Sequence, residues 1–213
     1  MSRKDYKLQR VNVKMKFSGN EIRDLAAAGT ILSLAFAVLL SGGLQGIANF
    51  NSGIFLVFII AFLTTGTGFI LHELMHKYTA QRYGLRAEFK AFYPMLWLAL
   101  GLSFFGFIFA APGAVFIYGI MTREKNGKIS VAGPITNIAL ALIFLLVFLL
   151  SGDSGSFAGI MAKYGLYINS LLAAFNMIPA MPLDGAKVIA WSKSIYFITL
   201  AIAVGLFIVS FII

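Results

Sequence analysis

GIFLVFIIAFLTTGTGFILHELMH, residues 53–76, is the stretch that decides the fold. It is an uncharged run that leads directly into a His-Glu-Leu-Met-His motif. A helix needs about 20 residues to cross the hydrocarbon core of a bilayer, and the run from Gly53 to Leu71 comes close to that length. The sequence therefore predicts a membrane helix whose inner end carries ionisable residues. Burying such residues in a membrane costs free energy, so their presence there indicates a functional site.

The rest of the chain has the same apolar character. Of its 213 residues 60% are hydrophobic and 12% charged, against about 25% charged in an ordinary soluble domain. This excludes a soluble globular domain, a disordered chain and a coiled coil. We expect a polytopic α-helical membrane protein with five to six transmembrane helices, forming one domain over residues 1–213. The apolar segments are Leu25–Leu44, Gly53–Leu71, Ala91–Thr122, Ile129–Leu150, Tyr164–Pro182 and Ile195–Ile213.

The positive charges indicate the orientation of the chain. Lys and Arg accumulate on the cytoplasmic side of membrane proteins, and the net charge is +9. If residues 91–122 enter the membrane and return on the same side, 16 of the 17 Lys and Arg residues lie on one face. We therefore favour a re-entrant segment there, with a sixth true span as the alternative. The basic segment 1–23 and the active-site side are expected to be cytoplasmic, and the charge excess requires no nucleic-acid partner.

The His-Glu-Leu-Met-His motif predicts a zinc site. Residues i and i+4 share one face of a helix, so His72 and His76 can bind one zinc ion and Glu73 can act on water as a general base. The chain has no cysteine and no other histidine, so the third ligand must be a carboxylate. Asp184, beside the helix-breaking Pro182, is the candidate by elimination. The alternatives are an N-cap role for Asp184 and a histidine pair that has simply left the bilayer.

Three motifs, in order, resemble the signatures of the site-2 protease family of intramembrane zinc metalloproteases. They are His72-Glu-Leu-Met-His76, Gly133-Pro134-Ile-Thr-Asn137 and Asn176-x-x-Pro179-x-x-Pro182-Leu-Asp184-Gly185. The resemblance covers residues 53–190, the expected catalytic core, in a minimal form without a PDZ or CBS domain.

The resemblance implies a role for each motif residue. His72, His76 and Asp184 would bind zinc, and Glu73 would be the catalytic base. Asn137 and Asn176 would hold the substrate backbone or line the site, although either could instead form an interhelical hydrogen bond. The family also places a membrane-associated β-hairpin between its first two motifs, which agrees with the β-prone stretch Gly113–Gly119.

The expected activity is zinc-dependent hydrolysis of a peptide bond within or near the transmembrane segment of a single-span membrane protein. The expected partners are this substrate and the lipid bilayer. Two alternatives remain. A metal or ion transporter would also place histidines and acids in its spans, and a non-catalytic membrane scaffold would not need Glu73.

Overall fold

The computed structural model describes residues 15–48, 53–108, 112–152 and 154–213. They form a mostly helical protein with a two-stranded sheet, which confirms the predicted helical membrane protein. In chain order the elements are α1 (Gly19–Leu40), α2 (Gly43–Ala48), α3 (Gly53–Ala61), a π-helical turn (Phe62–Gly66), α4 (Thr67–Arg82), β1 (Arg86–Ala91), α5 (Tyr93–Ser103), β2 (Gly113–Tyr118), α6 (Arg123–Ser151), α7 (Phe157–Asn176), α8 (Asp184–Trp191) and α9 (Lys193–Ile212).

Four helices in the described part of the chain are long and apolar enough to cross a membrane. They are α1, α6, α9 and the continuous helix Phe55–Arg82, which joins α3, the π-helical turn and α4. Helix α7 has 20 residues, the length of a span, but it carries Lys163 and two asparagines and is less apolar. The count of five to six spans therefore stays a prediction.

The long apolar run 91–122 forms no helix of membrane-spanning length among its described residues. Helix α5 has 11 residues, or about 16 Å at 1.5 Å per residue, roughly half of the hydrocarbon core. Strand β2 follows it in the same run. These short elements are compatible with a segment that enters the membrane and returns, and the re-entrant path itself stays a prediction.

The sheet differs in one respect from the expected hairpin. Strand β2 lies within the β-prone stretch that the sequence indicates, but its antiparallel partner β1 precedes the run 91–122, and α5 lies in the connection. The segment after α4 forms a strand because buried and exposed residues alternate along it with a period of two. Ala87 and Phe89 are buried, whereas Arg86 and Lys90 are exposed, so one face of β1 packs into the protein.

The beginning of α1 holds the outer edge of β1. Ser18 and Glu21 form a capping box. The Glu21 carboxylate also accepts a hydrogen bond from the backbone N–H of Phe89 at 3.0 Å, and Asp24 accepts one from Ala91 at 3.1 Å. Helix α1 thus satisfies one edge of the sheet, and the second edge of β2 has no strand partner among the described residues.

A buried ion pair joins the second half of α4 to the beginning of α1. The Lys77 ammonium pairs with the Glu21 carboxylate, and both side chains are 1% exposed. The ammonium also lies over the ring of Phe17, 4.2 Å from its centroid. These contacts bring the start of α1, the sheet and the histidine-bearing turns of α4 to one end of the protein.

Candidate zinc centre

The two histidines lie one turn apart on the buried face of α4. His72 is 4% exposed and His76 is 7% exposed. Their Nε2 atoms are 3.0 Å apart. The i, i+4 spacing that the sequence shows therefore places both imidazoles at one point.

Asp184 reaches this point from α8. Its Oδ2 atom lies 3.0 Å from Nε2 of His76 and 3.4 Å from Nε2 of His72. A Cβ atom on Gly185 would overlap the carbonyl group of Met177 at the end of α7, so the first turn of α8 approaches this closely because residue 185 is glycine. The N-cap of α8 is Leu183, which rules out the N-cap role for Asp184.

The three side chains fit a zinc ion. Zinc–ligand bonds of about 2.0–2.1 Å in a tetrahedron separate the ligand atoms by about 3.3 Å, close to the 3.0 and 3.4 Å between these donors. The space between the donors is open because Gly133 faces it, and a methyl group there would lie 2.5 Å from Nε2 of each histidine. Three protein ligands of the nitrogen and oxygen type are the set of a catalytic zinc site.

Hydrogen bonds on the far side of each ring direct both Nε2 atoms inward. The carbonyl oxygen of Ile129 can only accept, so Nδ1 of His76 donates to it at 2.8 Å. Nδ1 of His72 donates to Oδ1 of Asn137 at 2.6 Å, because the amide nitrogen of Asn137 donates elsewhere. Such second contacts fix the tautomer and orientation of metal-binding histidines.

The charge state of Asp184 suits a metal ligand. Burial acts to raise the pKa of its carboxyl group, but the adjacent His76 and His72 more than offset this, so that the pKa lies well below its usual range. The Lys187 ammonium also lies 3.5 Å from Oδ1 of Asp184. The carboxylate is therefore ionised near neutral pH, as metal coordination requires.

Glu73 lies beside the donor set without being part of it. Its side chain is 8% exposed and lines the same cavity of about 390 Å³ as the three donors. The backbone of Val115 on β2 interacts with its carboxylate. The remaining walls are mainly apolar side chains of α1, β2 and α7. The cavity therefore holds a carboxylate that is separate from the three donors.

The two candidate asparagines have different surroundings. Asn137 is fully buried, and its amide nitrogen donates to the carbonyl oxygen of Gly68 at 3.2 Å and to Oδ1 of Asn169 at 3.0 Å. Asn176, at the end of α7, lines the cavity and donates to Leu172 of its own helix at 2.9 Å. Their role in substrate binding stays a prediction.

Sequence reasoning missed three contributors to this site. Lys187 carries a usable signal, because it follows Asp184 by three residues on one helix. Gly133 belongs to the second motif, but nothing in the sequence reveals that it faces the histidines. Asn169 shows no signal beyond being a polar residue within an apolar run.

A buried set of two histidines and one aspartate, beside a separate glutamate and among membrane-length helices, defines a helical membrane protein with a zinc centre. The chain is 45% identical over 183 residues to MJ0611 of Methanocaldococcus jannaschii, a protein named for a proposed zinc metalloprotease activity, with 85% of this chain and 89% of the relative covered. It is 26% identical over 146 residues to the zinc metalloprotease MJ0392 of the same organism, covering 68% of this chain and 37% of that relative.

A third relative, Rip3 of Mycobacterium tuberculosis, also carries a name that proposes a zinc metalloprotease. It is 32% identical over 122 residues, which are 56% of this chain and 27% of Rip3. No family model and no solved structure matches the chain. The chain belongs to the site-2 protease-like family of zinc metalloproteases, and the predicted zinc cofactor is confirmed.

Proposed function

We propose that this protein is an intramembrane zinc metalloprotease that hydrolyses a peptide bond within or near the transmembrane segment of a single-span membrane protein. One observation carries the proposal. The Glu73 carboxylate lies in the cavity that holds His72, His76 and Asp184, yet it is not one of the three donors. A purely structural or transport site has no need of such a separate carboxylate.

The residues of the cavity divide the chemistry among them. A zinc ion held by the two histidines and Asp184 supplies Lewis acidity to the scissile carbonyl group and to water. Glu73 takes a proton from the attacking water and returns one to the leaving amine. The apolar walls of α1 and α7 exclude bulk water, which strengthens the electrostatic interactions inside the cavity.

The open edge of β2 offers a way to bind the substrate backbone. A transmembrane helix hides its peptide groups in its own hydrogen bonds, so a segment must unwind before it is cut. Phe89 donates its N–H to Glu21 and not to β2, so the Phe89–Val115 pair is a non-hydrogen-bonded pair of the ladder. The backbone of Val115 therefore faces away from β1, beside Glu73, where an extended substrate segment can add as a strand.

The charge distribution favours a cytoplasmic site. The ends of α1, α4 and α6 that adjoin the zinc centre are rich in Lys and Arg, and these residues accumulate on the cytoplasmic side. About 9 Å of helix separates His76 from Arg82, so Arg82 can reach the interface while the histidines lie below it. The basic residues at this end include Lys16, Lys77, Arg82, Arg86, Lys90, Arg123, Lys125 and Lys128.

Cleavage of a purified single-span membrane protein by the full chain in liposomes tests the proposal. Glu73→Gln should lower kcat by about 10²–10⁴-fold, the usual contribution of a general base, while the zinc content stays at one ion per chain. Glu124→Gln is the matched control, since Glu124 is an exposed glutamate at the start of α6 that pairs with Lys128. It should cleave as the unaltered chain does, and a zinc chelator should stop cleavage by both.

Full zinc occupancy together with no Glu73-dependent cleavage would refute the protease proposal. The transporter alternative predicts zinc movement across the liposome membrane instead. It gains no support from the described residues, among which the His72, His76 and Asp184 group is the one His/Cys/Asp/Glu cluster able to hold a metal ion. An ion path needs successive sites along its length.

A further inference from the structure

We propose that Asn169 on α7 is a positioning residue for the zinc centre, acting through Asn137 on His72. The proposal rests on the zinc centre of the proposed function and does not depend on the protease reaction. Asn169 lies outside the three motifs and has no contact with the donor atoms. Its influence runs through a chain of hydrogen bonds, and both asparagines are fully buried.

The chain begins at the ring of His72. Nδ1 of His72 donates to Oδ1 of Asn137, and the amide nitrogen of Asn137 donates to Oδ1 of Asn169 and to the carbonyl oxygen of Gly68. The amide nitrogen of Asn169 in turn donates to the carbonyl oxygens of Gly165, at 2.9 Å, and Thr64, at 3.4 Å. The chain thus ends on backbone carbonyl groups, which can only accept.

This arrangement determines which way the Asn137 amide points. An asparagine amide has an oxygen and a nitrogen of nearly the same shape, so its orientation is set by its partners. With its oxygen toward His72, Asn137 makes Nδ1 the protonated nitrogen and leaves the Nε2 lone pair for a metal ion. In the reversed orientation the amide nitrogen faces Nδ1, the ring proton moves to Nε2, and His72 cannot bind zinc.

Asn169 disfavours the reversed orientation. Reversal would bring the Asn137 oxygen against two acceptors, Oδ1 of Asn169 and the carbonyl oxygen of Gly68, and would leave the two buried side-chain oxygens without a donor. A buried group without its hydrogen bond is costly. Without Asn169, Gly68 alone would oppose the reversal. Two helices, α6 and α7, therefore cooperate to hold one imidazole of α4.

The test measures zinc affinity and the visible spectrum of the cobalt-loaded full chain in detergent. Asn169→Leu removes the acceptor and should weaken zinc binding about 10-fold to 100-fold, the range for lost outer-shell partners of a metal ligand. The cobalt absorption bands should also change, because the geometry at His72 becomes heterogeneous. Asn169→Asp keeps the acceptor oxygen. Its second oxygen, protonated because burial disfavours the charged form, can donate to Gly165 in place of the amide nitrogen, so this variant should restore both readouts.

Ser170→Ala is the control for packing of α7. Ser170 is the next residue, is equally buried, and donates within its own helix to Leu166 at 2.7 Å. It should leave zinc affinity and the cobalt spectrum unchanged. If Asn169→Leu does not fold, Asn169→Ala, which is smaller and also lacks the acceptor oxygen, takes its place.

Three results would overturn the proposal. These are unchanged zinc affinity and cobalt spectrum in Asn169→Leu, an equal loss in Asn169→Asp, or an equal loss in Ser170→Ala. Zinc binding is measured without substrate, so a failure of the protease proposal would not alter this result. Loss of zinc from Asn169→Leu in a chain that cleaves nothing would still support the positioning role.

Discussion

Replacing Gly133 by alanine should remove zinc from the protein. Gly133 faces the point between the histidines, and its new methyl group would lie 2.5 Å from Nε2 of His72 and of His76. Non-bonded atoms normally approach to about 3.5 Å, so the rings or helix α6 must move by about 1 Å. Zinc–ligand distances tolerate about 0.2 Å, which is several times less than this movement.

The expected loss of zinc affinity is therefore at least about 100-fold, the upper end of what loss of outer-shell partners causes. This corresponds to about 2.8 kcal/mol of binding free energy. The metal-free fold should be affected less, since an extra methyl group in a packed core costs about 1–3 kcal/mol. The variant is thus expected to fold while binding little or no zinc.

Zinc content by atomic emission and a zinc titration against a chromophoric chelator measure this effect in detergent. The matched control is Gly205→Ala in α9, where a Cβ atom would meet nothing within 4 Å, and it should bind zinc as the unaltered chain does. One zinc ion per chain at unaltered affinity in Gly133→Ala would show that the metal does not lie between the two Nε2 atoms.

Two further predictions concern the scaffold around the site. Lys77→Met should lower the free energy of unfolding by about 3–5 kcal/mol, because it leaves the Glu21 carboxylate buried without its cation. Denaturant unfolding in detergent measures this loss. Adding Glu21→Gln to Lys77→Met should recover much of it. Ile117, two residues along β2 from Val115, also turns its N–H to the open edge of the strand. Ile117→Pro removes this N–H at an edge where proline is tolerated, and should lower kcat/KM for a membrane substrate without changing zinc affinity. Ile117→Ala keeps the N–H, so an equal loss in that variant would contradict the strand-addition model.

The helical part of the fold could be predicted because its signals are local. Uncharged runs of membrane-spanning length identify α1, the Phe55–Arg82 helix, α6 and α9. Ser18 and Glu21 locate the beginning of α1, since both halves of the capping box lie within one turn. Each of these signals depends on residues close in sequence, which a single chain displays directly.

The partner of β2 could not be predicted with the same ease. Strand β1 has six residues, of which three are charged, so its charges suggest a solvated loop. Its pairing with β2 joins residues separated by α5, and its outer edge is satisfied by the α1 side chains Glu21 and Asp24. Strand formation here is a tertiary effect, because burial and long-range hydrogen bonds outweigh local propensity.

The zinc donors show the same contrast within one site. The helical spacing of His72 and His76 predicts that both bind one metal ion. Asp184 is predicted only by eliminating the other carboxylates, and this elimination does not explain how Asp184 reaches the histidines. The structure supplies that reason in Gly185, whose missing side chain allows the start of α8 to lie against the end of α7. The distance between motifs along the chain carries no information about such a close approach.

The two motif asparagines also differ in what they have left to offer a substrate. Both amide hydrogens of Asn137 are donated and its oxygen accepts from His72, so a contact with substrate would require loss of a bond that orients a zinc ligand. Asn176 lines the cavity, and its amide nitrogen donates to the carbonyl oxygen of Leu172. Its Oδ1 accepts no hydrogen bond from the described residues. An unused acceptor on the cavity wall can take an N–H from an unwound substrate without disturbing the metal centre. We therefore expect Asn176 to contact substrate and Asn137 to serve the zinc centre.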